Sequence, residues 1–163
     1  MSRYAVPLLL TGLATAACAP AERPRDGAAA APVAAADFDA GAIRTAAEYL
    51  EEPQFAVADL ERGERLSLAC VACHSLRPGE AHVLGPNLGR LFGSPAAAKP
   101  GFGYSAALSA TGLTWTPRAL DAWLAAPASF VPGTSMVFAG FSAPADRRDL
   151  IAYLLHATEA AAP

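Results

Sequence analysis

Lysine is almost missing from this chain of 163 residues: Lys99 is the only one. Arginine brings the cations to 12 against 15 carboxylates, a formal net charge of −3. Nucleic-acid binding needs clustered cations, so that class of function has no electrostatic support. Methionine is scarce too, with only Met1 and Met136. The three cysteines, Cys18, Cys70 and Cys73, are odd in number, which excludes a simple disulfide framework. No stretch alternates polar and apolar residues well enough to be read as a strand. The apolar run Ala5 to Ala17 is too short to cross a bilayer, which takes about 20 residues.

What is there begins with export. Arg3 supplies a positive start, the apolar run follows, and Thr15-Ala16-Ala17-Cys18 closes it in the manner of a secretory signal. That ending resembles a bacterial lipobox, with Thr15 where leucine is usual, and implies a lipidated Cys18. Ordinary cleavage near residues 14–18 is the rival reading. Residues 19–36 are rich in alanine and proline and have too little apolar surface to offset chain entropy, so they read as a tether. Residues 37–53 have room for a short helix broken at Pro53. The expected division is therefore a signal over 1–18, a linker over 19–53 and one domain over 54–160. A domain of roughly 100 residues has a modest core, to which a buried cofactor would add.

The chemistry sits at the end of a helical pattern. Ala58 to Ala72 has apolar positions at Leu60, Leu66, Leu68 and Val71, and runs into Cys70-Val71-Ala72-Cys73-His74. Two cysteines three apart followed by histidine match the attachment motif for haem c. One helical turn sets both sulfurs to bond the two haem vinyl groups, and the adjacent histidine lies under the iron. A redox dithiol would want a βαβ context, which is missing. A tetrahedral zinc site would need more ligands than His82 and His156 offer. Met136, in the irregular Pro132-Gly133 loop, is the one methionine outside the signal and can bring a thioether sulfur; core filling is its plain alternative.

From Gly63 to Thr158 the chain is similar to mitochondrial-type class I cytochromes c. The resemblance rests on Gly85-Pro86-Asn87-Leu88, Leu91-Phe92-Gly93, Pro100-Gly101-Phe102-Gly103-Tyr104, Gly112-Leu113-Thr114-Trp115, Val131 to Met136, Phe138-Ala139-Gly140 and Asp149 to Leu154, all in order. It implies an all-α fold of three main helices, around 58–72, 117–125 and 144–157, with omega loops about one haem. It also implies covalent attachment through Cys70 and Cys73, and iron ligation by His74 and Met136. Pro86 would accept a hydrogen bond from His74, Tyr104 and Trp115 would bind a propionate, and Thr134 would help fix the methionine loop. His82 falls where the family has a histidine tying two loops, and His156 reads as a surface residue. Three positions depart from the family: Ser67 for an aromatic, Trp123 for a tyrosine near the methionine sulfur, and Ser94 for an arginine at a propionate. The lysines that relatives present around the haem edge are replaced at positions that include Ala69, Val83, Ala128, Ser129 and Ser135.

With both axial positions filled, the iron has no open place for a substrate, which implies an electron carrier and not an enzyme. The expected protein is a monomer in the periplasm, with a membrane tether if Cys18 is lipidated. Its expected partners are an oxidase, a quinol-oxidising complex or a periplasmic dehydrogenase, with no nucleic acid. A dedicated haem subunit of one larger enzyme is the first alternative. A haem enzyme or gas sensor with a displaceable Met136 is the second.

Overall fold

The structure is a computed structural model that describes Met1 and residues 43–159. The signal ending at Cys18, the segment 19–36 and the end of the domain at 160 lie outside the described residues. Among the described residues the regular structure is helical, and the one β-type pairing is an isolated bridge between Pro95 and Thr114. No described helix is long and apolar enough to cross a membrane.

The first two helices are short. α1 (Ala46–Leu50) starts with a reciprocal cap, in which Thr45 Oγ1 accepts the Glu48 N–H and the Glu48 carboxylate accepts the Thr45 N–H. Pro53 breaks the chain after it and opens α2 (Pro53–Ala56), where proline's missing N–H costs nothing. Both pack on the last helix through Tyr49 and Phe55, which are buried. Core residues therefore begin at Tyr49, inside the segment expected to be linker. Arg44 stacks over the Tyr49 ring, 4.9 Å from its centre, and pairs with Glu52.

The three long helices fall where the sequence pattern puts them. α3 (Leu60–Val71) is capped by Asp59, whose carboxylate accepts the Arg62 N–H at 2.9 Å. α4 (Ala106–Ser109) is a single turn capped by Ser105. α5 (Pro117–Ala125) is capped by Thr116, and α6 (Pro127–Phe130) follows after a break at Ala126. α7 (Pro144–Ala157) crosses α3, and Gly63 makes that crossing possible. A methyl group on Gly63 would run into the Asp149 carbonyl oxygen and come within 2.8 Å of Tyr153 Cβ.

Polar groups lock the crossing. Arg62 pairs with Asp146, and the buried Asp149 carboxylate accepts from Arg148 at 2.7 Å and from the Asp59 N–H at 3.2 Å. Arg147, also buried, pairs with Asp121 at 2.8 Å and donates to the carbonyls of Phe141 and Ser142 at 2.8 and 3.0 Å. It thereby joins α5, α7 and the loop between them. The apolar core runs from Leu113, Leu120 and Leu124 to Leu150, Ile151, Leu154 and Leu155. Ser67 is buried and turns its hydroxyl back onto the Glu64 carbonyl at 2.7 Å. Leu66 packs partly against the core, whereas Leu68 points outward.

Candidate functional site

α3 ends in the motif Cys70 to His74. The N–H groups of Cys73 and His74 both donate to the Cys70 carbonyl, at 3.0 and 2.9 Å, so one continuing turn presents two thiols and an imidazole. Both cysteines are free and half-buried. Burial pushes the Cys70 thiol up to about 11, so it is neutral at ordinary pH. A redox dithiol depends on a lowered thiol pKa, and this environment does the reverse.

The imidazole is fixed by the loop that faces it. His74 Nδ1 lies 2.7 Å from the Pro86 carbonyl oxygen. A carbonyl can only accept, so Nδ1 carries the proton and a neutral ring keeps Nε2 as its open lone pair. Gly85 lies flat against the same ring, where a Cβ would come within 2.7 Å of Nδ1 and 2.8 Å of Nε2. The Gly85 N–H donates to the Cys73 carbonyl at 2.7 Å, closing loop onto helix end.

Asn87 holds this loop from below. Its amide donates to the Ser75 hydroxyl and the Arg77 carbonyl, both at 2.8 Å, and its oxygen accepts the Gly89 N–H at 3.0 Å. Gly85 and Asn87 belong to a recognisable motif, but no sequence argument assigned them these tasks. His82 bridges two loops: its Nδ1 accepts the Asn87 N–H and its Nε2 donates to the Pro100 carbonyl, each at 2.9 Å. His156 is exposed.

Met136 lies on a loop turned by Gly133, whose φ of +89° is costly for other residues. Thr134 Oγ1 accepts the Met136 N–H at 3.3 Å, and the half-buried Met136 packs on the same apolar mass as Cys70, Leu88 and Phe138. Trp115 is buried edge-to-face against Trp123, with ring centres 5.5 Å apart, and Trp123 packs likewise on Phe130 at 6.2 Å. Tyr104 closes an edge-to-face row with Phe102 and His82. Burial pushes its hydroxyl pKa up, opposed by a hydrogen bond with the Lys99 backbone. Ser94 bonds the Arg90 carbonyl at 2.5 Å.

This donor set fits a covalently held haem. Two free thiols, a histidine nitrogen oriented by its second partner and a thioether on a shared apolar shell are what such a group needs. Among the described residues no three His, Cys, Asp or Glu side chains gather as a metal site would require, so the zinc alternative lacks ligands.

No family model matches the chain. It is, however, 45% identical to cytochrome c of Chlamydomonas reinhardtii over 101 residues, covering 61% of this chain and 90% of that protein. It is 42% identical to cytochrome c2 of Rhodomicrobium vannielii over 100 residues, 61% of this chain and 80% of the relative. The chain belongs to the class I cytochrome c family. The solved structure of cytochrome cH from Methylobacterium extorquens is similar at a TM-score of 0.56 and 42% identity, covering 60% of this chain and 97% of that one. The all-α cytochrome c fold expected from the residues is the fold observed. Members of the family carry one covalently bound haem c, and this cytochrome c is accordingly a single-haem electron carrier and not an enzyme.

Proposed function

We propose that this cytochrome holds its haem through Cys70 and Cys73, ligates the iron with His74 and Met136, and passes single electrons by outer-sphere transfer. The observation that carries the reading is the His74–Pro86 hydrogen bond at 2.7 Å, which leaves Nε2 as the free donor atom beside both thiols. When bound, haem c supplies an iron that changes between ferric and ferrous states. The protein's own residues do the rest. Pro86 holds the imidazole in one tautomer and raises its basicity, and Gly85 lets the loop sit against the ring. Thr134 shapes the turn that presents the Met136 sulfur. Tyr104 and Trp115 would bond one buried propionate in this reading. The buried Trp115, Trp123 and Leu120 exclude water, which with the sulfur ligand favours the reduced state.

The same reading places the protein outside the cytoplasm. A signal over 1–18 exports it, a lipid on Cys18 ties it to a membrane, and the tether over 19–36 lets it search nearby. An oxidase, a quinol-oxidising complex or a periplasmic dehydrogenase are the partners such a carrier would serve, with the carrier itself monomeric.

Optical spectra of the protein, expressed with haem-attachment machinery, test the ligand set. The wild type should show haem c by its pyridine derivative, plus the weak long-wavelength sulfur-to-iron band. Met136→Ala should lose that band, bind CO rapidly when reduced, and fall in potential by roughly 0.2–0.3 V, within the ~0.8 V that axial ligands span. A wild type without the band would defeat Met136 ligation, and one without covalent haem would defeat the whole assignment.

A further inference from the structure

The site is bordered by a surface of unusual character. Residues 66–76, 81–89 and 122–145 contain no Asp, Glu, Lys or Arg. These three stretches carry Cys70, Cys73, His74, Pro86, Thr134 and Met136. Charge is therefore absent from the chain that frames the site, although the protein as a whole has 27 charged residues (12 cationic, 15 anionic).

Large apolar side chains stand exposed on the same stretches. Leu68 is 66% exposed, Val71 43%, Val83 61%, Leu84 78% and Val137 fully. Each lies within two residues of Cys70, Gly85 or Met136. The Gly85 N–H bond to the Cys73 carbonyl sets Val83 and Leu84 beside the end of α3, where Leu68 and Val71 are. Ala69, Ala72 and Ser135, on the same stretches, are small and exposed. A cluster of exposed large apolar side chains marks an interaction site.

We infer that this rim is a docking face recognised by apolar burial, and that its occupant is a redox protein whose cofactor edge is framed by an equally uncharged surface. The inference rests on the ligand assignment proposed above, which puts the exposed edge of the haem within this rim. A charged partner surface would lose hydration here and gain no counter-charge, so it is disfavoured. A membrane-lying face would carry a basic fringe, whereas the residues bordering the three stretches are of both signs, Arg65, Arg77 and Arg90 with Glu80, Asp121 and Asp146. Five such side chains offer a few hundred Å², below the roughly 800 Å² per partner of a stable complex and suited to a brief encounter. That scale also disfavours a second copy of the chain as the occupant. Brief contact fits a carrier that must release its partner after each electron.

The test uses the haem-loaded protein exported with an ordinary cleavable signal in place of residues 1–18, so that neither an acyl group nor the apolar signal contributes, on gold electrodes coated with alkanethiols of defined end group. A methyl-terminated layer should adsorb the protein and give a reversible one-electron wave, with coverage changing less than about twofold between about 10 and about 200 mM salt. Val83→Lys plus Val137→Lys, both outside the ligand set, should lower that coverage about tenfold and create salt-sensitive adsorption on a carboxylate layer. Wild-type adsorption confined to the carboxylate layer, or a double variant that behaves like wild type on methyl, would overturn the inference. So would a dimer in sedimentation, or binding to neutral phosphatidylcholine vesicles, that the double variant abolishes. A protein giving no wave on any layer, nor with a dissolved mediator, would overturn the ligand assignment as well.

Discussion

At Gly85 the absence of a side chain does chemical work. Its α-carbon lies against the His74 ring, and an added methyl would sit under 3.0 Å from both ring nitrogens. Gly85→Ala should therefore displace either the ring or the Pro86 carbonyl. We expect the loaded protein to lose about 1–3 kcal/mol in guanidinium denaturation, the usual range for overpacking. Its midpoint potential should also move, because the imidazole's hydrogen bond is disturbed. Unchanged stability and potential would show that the loop relaxes freely. The motif of Cys70, Cys73 and His74 is legible in the sequence because its members lie within five consecutive positions. Asn87 is not, because its amide serves Ser75, Arg77 and Gly89 through contacts that no spacing rule encodes. Trp123 departs from the family's tyrosine, but only the fold shows it packed between Trp115 and Phe130.

Among the elements, the N-terminal pair α1 and α2 adds most to what periodicity suggested. The capping box at Thr45 and Glu48 and the break at Pro53 are local signals, so the helices themselves could be foreseen. Their burial against α7 could not, since Ala-rich sequence leads into them and the anchors are only Tyr49 and Phe55. Tyr49→Ala should destabilise the loaded protein by about 3 kcal/mol, the low end for losing a buried aromatic. Hydrogen exchange should quicken in α1 and α2 together, leaving α3 and α5 protected. An extension that merely rests on the surface would show neither effect. The crossing of α3 and α7 has the same lesson. Helical pattern located both, while Gly63 under Asp149 and Tyr153 sets how closely they meet.

For the molecule as a whole, charge is partitioned. Ion pairs tie α3 to α7 and α5 to α7, and the chain that frames the site has none of the four charged residue types. Long-range steering of a charged partner toward that face is correspondingly weak. A lipid at Cys18 would replace steering by raising the local concentration near a membrane partner. Exchanging residues 1–18 for an ordinary cleavable export signal should move the protein from the membrane fraction to the soluble one with its spectrum and potential unchanged. Retention in the membrane fraction would mean that something other than an acyl chain holds it there.

The sequence by itself determined the Cys-x-x-Cys-His motif, the three long helices and the three uncharged stretches that carry the site. Each depends on neighbouring residues: a three-residue cysteine spacing, a 3.6-residue period with its caps, a run of composition. The tertiary structure alone decided which nitrogen of His74 is free, how Gly85 and Asn87 support it, and that Tyr49 belongs to the core. Those outcomes depend on surfaces brought together from distant parts of the chain, where hydrogen bonds and packing are set by distance in space and not by order in sequence.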